Sequence, residues 1–374
     1  MSMFNGKRLA LARKRSKYTG KRLAEIAGIT PVTLSKIERN IHKAPEAETI
    51  DKLAKALGYP KDFFYLDDAD ELTAEAASFR SFTKLTARDR DAALAAGYIA
   101  FEISDWVSER FNLPEPDIID LSSENNPELA AKSLRIYWGL GEAPIPNLIN
   151  LLEAKGVRVF SLSENTKSVD AFSCWRNETP YIFLNTFKTA ERSRFDAAHE
   201  LGHLVMHQHG GPNELRSIKE QHDPRATEKE ADQFASAFLM PKDDLKARLP
   251  FIKSIDTLIK AKERWRVSAM ALAYRMHELS LLTDWQYRSA CIELDRRGYR
   301  NNEPDGIERE YSTVWQKVFE QLWAERKTRD NIANDLYLPV KEIDALVFGL
   351  IGNALPKNRS QTSKKSSKLR VVHG

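Results

Sequence analysis

Two histidines and a glutamate lie within five residues of one another in the segment RFDAAHELGHLVMHQH: His199, Glu200 and His203. Because side chains at positions i and i+4 of an α-helix project from one face, both imidazoles can bind a single metal ion. Glu200 projects from an adjacent face, where its carboxylate can take a proton from an attacking water. The spacing therefore predicts a hydrolytic zinc site. The competing interpretation is two histidines that form ordinary hydrogen bonds between packed helices.

A catalytic zinc site needs a third protein ligand, and three downstream residues are candidates. Glu228, in TEKEADQFASAFLMP, lies 25 residues after His203 on a helix of its own, and we favour it. His209 has the spacing of the HExxHxxGxxH motif, but Met206 replaces the motif's glycine, so the helix should continue and His209 should point elsewhere. Glu230 lies about 200° round the helix from Glu228 and is expected to face solvent.

Further side chains are expected to support the metal ligands. Asp232 lies one turn beyond Glu228 on the same helix face. A carboxylate there can accept the free ring N–H of a ligating histidine, which fixes the tautomer of that histidine. A donor to the developing oxyanion is also expected, and four residues remain candidates beside ordinary packing or surface roles: His207, His209, His222 and Tyr274.

The candidate site residues fall on two predicted helices that follow a short β region. Aromatic and β-branched residues predict strands at 157–162, 171–175 and 181–184, the last of which is a candidate sheet edge for binding an extended substrate. Helical periodicity predicts the two site helices at 189–207 and 226–239. Other predicted helices lie at 87–111, 126–138 and 146–156. The predicted fold class is mainly α with a small β-sheet (α+β).

The N-terminal segment has the pattern of a nucleic-acid-binding domain. The pattern of residues 5–65 predicts five short helices. Residues 1–65 contain 14 Lys/Arg and 6 Asp/Glu, which gives this segment a net charge of +8 in a chain of net charge +4. In LAEIAGITPVTLSKIERN, one helix face is predicted to pack inward through Leu23, Ile26 and Ala27. Gly28 permits the turn that follows. The predicted DNA-contacting residues are Lys21, Arg22, Val32, Thr33, Lys36 and Arg39.

This N-terminal pattern resembles the Xre (lambda-repressor-like) helix-turn-helix family over roughly residues 5–65. That family usually carries a Gln at the start of the second helix, where this chain has Gly20. Lys21 and Arg22 are the alternative source of that backbone contact. The competing interpretation is a small helical protein-binding domain that no longer contacts DNA.

The pairing of RFDAAHELGHLVMH with EKEADQFASAFLMP resembles the ImmA/IrrE family of metallopeptidases over roughly residues 130–245. The resemblance implies a zincin-like (HExxH) domain with one zinc ion per chain, held by His199, His203 and Glu228, with Glu200 as general base. It also implies an Xre-type repressor as protein substrate, whose cleavage derepresses stress, mobile-element or phage-defence genes. The alternative is a transcription regulator or antitoxin-like protein whose peptidase-like domain acts as a sensor with little turnover.

Composition indicates the class of protein and its expected cellular location. Hydrophobic residues make up 42% and charged residues 29%, as in ordinary globular proteins. Two cysteines form no disulfide framework, and no apolar run has the length of a signal peptide or a membrane span, so a cytoplasmic location is expected, with oligomerisation left open. The predicted divisions are a helix-turn-helix domain (1–68), a helical linker region (69–125), the peptidase domain (126–250), a helical region (251–352) and a basic disordered tail (353–374).

Overall fold

A computed structural model describes residues 3–41, 45–68, 86–162, 171–207, 223–300 and 302–351. The chain is mainly helical with one three-stranded sheet, which confirms the predicted α+β class. The predicted tail (353–374), His209 and His222 lie outside the described residues. No helix in the described ranges is both long and apolar enough to cross a bilayer.

Four helices and a 3-10 turn form the N-terminal unit: α1 (Gly6–Arg15), α2 (Gly20–Ala27), α3 (Pro31–Glu38), α4 (Ala47–Leu57) and the turn Lys61–Tyr65. Gly28 ends α2 in the left-handed conformation, with φ +70°. At the start of α3, the Thr30 hydroxyl accepts a hydrogen bond from the backbone N–H of Thr33. One inward position was predicted wrongly. Ile26 is 38% exposed, whereas Ala24 is buried, because the inner stripe of α2 is centred one position away.

The sheet is built around its last strand. Strands β1 (Arg158–Leu162), β2 (Ala171–Arg176) and β3 (Thr179–Asn185) are arranged in the order β1-β3-β2, with β3 parallel to β1 and antiparallel to β2. Because β3 is paired on both sides, the predicted substrate edge at 181–184 is wrong. Pro180 belongs to β3, at a position that pairs with β2 alone, where its missing N–H costs no ladder bond to β1.

Three further helices precede the sheet, and the two site helices follow it. The long helix α5 (Ala87–Ser108) is followed by α6 (Pro127–Tyr137) and α7 (Leu148–Ala154). The Asn147 side chain caps α7, so this helix begins two residues later than the proline at 146 predicted. After the sheet, α8 (Ala190–Gly202) continues into a π-helical turn (His203–His207), and α9 (Pro224–Leu239) packs closely against it.

The C-terminal helices pack against α6 and α9. They are α10 (Lys242–Arg248), α11 (Ile255–Trp265), α12 (Ala269–Glu278), α13 (Asp284–Arg296), α14 (Thr313–Ala324), α15 (Arg329–Asp335) and α16 (Val340–Val347), ending in a 3-10 turn (Phe348–Leu350). Arg275 of α12 is buried and donates two hydrogen bonds to the carboxylate of Glu128 at 2.6 Å each, which ties α12 to α6. This region is therefore a packed helical bundle.

Helix α16 lies between the N-terminal unit and the sheet. Its Glu342 carboxylate accepts hydrogen bonds from Arg15 at 2.7 Å and from the Tyr59 hydroxyl at 3.1 Å. On the sheet side, the Ser161 hydroxyl of β1 donates to the carbonyl oxygen of Ala345 at 2.7 Å. These contacts join the N-terminal unit to the sheet through α16.

Candidate metal centre

The two site helices approach closely because of a glycine. A Cβ on Gly202 would lie 3.0 Å from a ring carbon of Phe234 and 3.4 Å from the Cα of Ala231, both on α9. A larger side chain at this position would push α9 away from α8. The glycine of HELGH thus brings the N-terminal half of α9, which carries Glu228, within reach of the histidines.

Three potential ligand atoms converge between α8 and α9. The Nε2 atoms of His199 and His203 lie 3.1 Å apart, and they lie 3.4 Å from Oε2 and from Oε1 of Glu228, respectively. Tetrahedral coordination at about 2.1 Å separates neighbouring ligand atoms by about 3.4 Å. The triangle therefore fits a divalent ion, and these three residues form the one cluster with metal-ligand geometry among the described residues.

The electrostatics of the triangle also suit a cation. Burial alone would lower the pKa of His199, but the carboxylates of Asp232 and Glu228 accept its hydrogen bonds and raise this pKa to about 10. Burial holds the pKa of His203 well below its ordinary value. Although burial works in the opposite direction, hydrogen bonds from both histidines lower the pKa of Glu228. A bound cation would take the place of the proton on His199, so metal binding should release protons.

Each histidine has a different supporting contact. Nδ1 of His199 donates to Asp232 at 2.8 Å, the contact predicted for that carboxylate. Nδ1 of His203 instead lies 2.9 Å from Nδ1 of His207, whose Nε2 lies 3.1 Å from the carboxylate of Glu230. The Glu230 side chain is 39% exposed, so it is partly turned to solvent, and its carboxylate contacts His207 in the π-helical turn.

Glu200 is placed by a contact that the sequence did not suggest. Its side chain is buried, and its Oε2 accepts a hydrogen bond from the hydroxyl of Ser173 on β2 at 2.7 Å. A single serine within the apolar strand AFSCWR carries no motif. The only signal for this contact in the sequence is the residue type of Ser173, since a hydroxyl in a buried strand needs a hydrogen-bond partner.

The sheet presents β2, rather than β3, as its edge beside the site. Among the described residues β2 pairs with β3 alone, and it carries the serine that contacts Glu200. Residues 171–174 of this strand are buried. Cys174, next to that serine, is fully buried, and burial raises the pKa of its thiol, as expected of a core residue.

Of the oxyanion candidates, two lie in the described ranges. His207 is engaged with His203 and Glu230. Tyr274 of α12 is 39% exposed, and burial together with the charge of Glu278 raises its pKa. Neither the contacts of His207 nor the exposure of Tyr274 identifies an oxyanion donor.

The predicted DNA-contacting residues lie on α2, on α3 and at the C-terminal cap of α3. Lys21, Arg22, Val32, Lys36 and Arg39 are exposed, while Thr33 is half-buried and hydrogen-bonded to Thr30. The Arg39 guanidinium donates to the hydroxyl of Ser35 at 2.7 Å, and Arg22 pairs with Glu25 at 2.9 Å. These exposed cations are available to phosphates.

Comparison with known families assigns both regions. Residues 152–277 match the family model described as the IrrE N-terminal-like domain (peptidase M78), and residues 9–64 match a helix-turn-helix model. No curated protein matches the chain. The two matches confirm the resemblance to ImmA/IrrE-type proteins with an N-terminal Xre-type domain.

Proposed function

We propose that this chain, which joins an Xre-type helix-turn-helix domain to an IrrE-like domain of peptidase family M78, is a zinc-dependent endopeptidase that inactivates a repressor-type protein. The observation that carries the proposal is the triangle of two imidazole nitrogens and one carboxylate beside the buried Glu200. We also propose that residues 1–68, 69–125, 126–250, 251–352 and 353–374 are its functional divisions.

The ligand set favours zinc as the ion. Two neutral imidazoles and one carboxylate from helices, with a position left for water or substrate, are typical of catalytic zinc sites. When bound, zinc would act as a Lewis acid that polarises the scissile carbonyl and water. The same ligand types also suit non-haem iron, so the identity of the ion is part of the test.

The residues of the chain supply proton transfer and substrate alignment. Glu200 takes the proton of the attacking water and returns it to the leaving amine, so its carboxylate acts first as base and then as acid. The Ser173 hydroxyl orients that carboxylate from β2. Strand addition to the outer edge of β2 would align an extended substrate segment next to Glu200. Water, peptide bond and base are thereby brought to one place.

Intact-mass analysis tests this proposal. The zinc-loaded protein is incubated with repressor-like proteins encoded next to it, beside the Glu200→Gln variant. We expect one discrete cleavage with the wild-type protein. The variant should retain zinc but cleave more slowly by about 10²- to 10⁴-fold, the usual contribution of a general base. Equal cleavage by both proteins would refute the assigned mechanism.

A second candidate is a transcription regulator or antitoxin-like protein whose peptidase-like domain senses a signal with little turnover. The observation that favours it is the buried contact of Arg15 and Tyr59 with Glu342, which ties the helix-turn-helix domain to the helices around the sheet. DNA binding that changes on zinc loading, without cleavage of any neighbouring protein, would support this candidate. Cleavage abolished by Glu200→Gln would exclude it.

A further inference from the structure

A chain of three side chains extends from the metal triangle towards the protein surface. His203 Nδ1 lies 2.9 Å from His207 Nδ1, and His207 Nε2 lies 3.1 Å from a carboxylate oxygen of Glu230. We propose that His207 is a positioning residue for the ligand His203 and that Glu230 completes this relay. The inference rests on the metal site proposed above and deepens it.

The hydrogen-bond directions along this relay follow from its two ends. A ligating nitrogen carries no proton, so His203, whose Nε2 faces Glu228, must carry its proton on Nδ1. That Nδ1–H donates to Nδ1 of His207, which therefore carries its own proton on Nε2. The Nε2–H of His207 then donates to Glu230, because a carboxylate only accepts. One arrangement of protons satisfies these contacts of the relay, and it presents the ligand nitrogen of His203 to the ion.

The backbone conformation at His203–His207 also supports this relay. Residues His203–His207 form a π-helical turn at the end of α8, and such turns are rare and concentrated at functional sites. The altered register sets the His207 ring 5.0 Å from the ring of His203, between that ligand and α9. The side chains of His203 and His207 are 2% and 8% exposed, so the hydrogen bond between them is shielded from water, whereas the Glu230 side chain is 39% exposed.

The two ligating histidines are therefore supported unequally. His199 donates directly to Asp232, a single carboxylate that is 54% exposed. His203 reaches its carboxylate through a second imidazole. Outer partners of metal ligands typically contribute about 10- to 100-fold in metal affinity, and we expect His207 to contribute within that range.

Variants matched in size separate the hydrogen bonds of His207 from its volume. His207→Leu fills similar space without polar atoms. In His207→Gln, the amide oxygen can accept from His203 and the amide nitrogen can donate to Glu230. His277→Leu is the control, because His277 also contacts a carboxylate, that of Asp284 at 2.7 Å, but lies on α12 outside the triangle.

The readouts are the zinc dissociation constant, measured by competition with a chromophoric chelator, and the visible spectrum of the cobalt-loaded protein. We expect His207→Leu to weaken zinc binding by about 10- to 100-fold and to alter the cobalt spectrum. His207→Gln should recover most of the affinity, and His277→Leu should match the wild-type protein. Should His207→Leu not fold, the half-exposed Glu230→Ala carries the test, with weaker zinc binding expected.

Two results would overturn the relay. One is wild-type zinc affinity in His207→Leu, or in Glu230→Ala where the leucine variant does not fold. The other is a Glu230→Ala effect of equal size in the wild-type and His207→Leu backgrounds, since members of one relay must be coupled. A wild-type protein that binds no zinc would instead refute the proposed function, and this inference with it.

Discussion

The hydroxyl of Ser173, on the edge strand β2, donates a hydrogen bond of 2.7 Å to the carboxylate of Glu200 on helix α8. This contact joins the strand offered to substrate with the residue assigned as general base. The position of that base therefore depends on the sheet as well as on its own helix.

Replacement of Ser173 by alanine tests this dependence. Ser173→Ala leaves the Glu200 carboxylate with one fewer donor, so its orientation should loosen while the metal triangle stays intact. We expect peptidase kcat to fall by about tenfold, the equivalent of one hydrogen bond of roughly 1.4 kcal/mol. Zinc affinity should stay unchanged. A kcat equal to that of the wild-type protein would show that the hydroxyl has no part in positioning the base.

Replacement of Glu342 tests the link between the helix-turn-helix domain and the rest of the chain. Arg15 and Glu342 are both buried, with side chains 8% and 6% exposed. Glu342→Ala removes a carboxylate partner of the buried Arg15 charge, and breaking a buried ion pair typically destabilises by about 3–5 kcal/mol. We expect hydrogen exchange in α1 and α16 to rise together.

The matched control for that link is an exposed ion pair of the same domain. Lys7 and Asp68 are each 55% exposed, so Lys7→Ala should change stability by less than about 1 kcal/mol. Similar effects of Lys7→Ala and Glu342→Ala would contradict a buried connection.

Glu153 should make stability depend on pH. Burial raises the pKa of this carboxyl from 4.5 to about 7, although Ser312, Val314 and Thr313 donate hydrogen bonds that lower it. Because the folded-state pKa is the higher one, the stabilising contribution is complete below about pH 4.5 and is lost as pH rises through 7. The measurement is urea unfolding of the wild-type protein and of Glu153→Gln across this range.

The stability of the wild-type protein relative to Glu153→Gln should decline between about pH 4.5 and 7, by at most about 1.4 kcal/mol per pH unit. Glu109→Gln, at a side chain that is 72% exposed, is the control and should show no such trend. A pH-independent difference between wild type and Glu153→Gln would mean that this carboxyl titrates normally in the folded protein.

Lys36 and Arg39 should contribute to DNA affinity through phosphates. Both are exposed, Lys36 on α3 and Arg39 at the C-terminal cap of α3. Lys36→Ala and Arg39→Ala should each weaken binding and reduce the slope of log affinity against log salt by about one. Lys260→Ala, an exposed lysine on α11, is the control. An unchanged salt slope in both variants would place the DNA surface elsewhere.

Much of the site was predictable because it is encoded by local periodicity. The four-residue spacing of His199 and His203 requires a helix to bring them together, and Glu228 and Asp232 have the same spacing on α9. The helix-turn-helix start at Thr30 and Pro31 is likewise local. These features need no knowledge of which distant segments meet.

What the sequence did not predict depends on such distant contacts. The central place of β3 follows from a parallel pairing with β1 across a long connection, which alternation of residue types does not encode. The contact of Ser173 with Glu200 depends on that sheet order. The hydrogen bond between His207, in the π-helical turn, and Glu230 on α9 was not predicted, because it depends on how two separate helices pack.

Native mass spectrometry of the zinc-reconstituted protein tests the central claim most directly. The wild-type chain should carry one zinc ion, and His203→Ala and Glu228→Ala should each lose it while staying folded, with His277→Ala as a control that keeps it. A wild-type chain without a stoichiometric ion, or full zinc occupancy in both site variants, would contradict the metal centre and the peptidase assignment built on it.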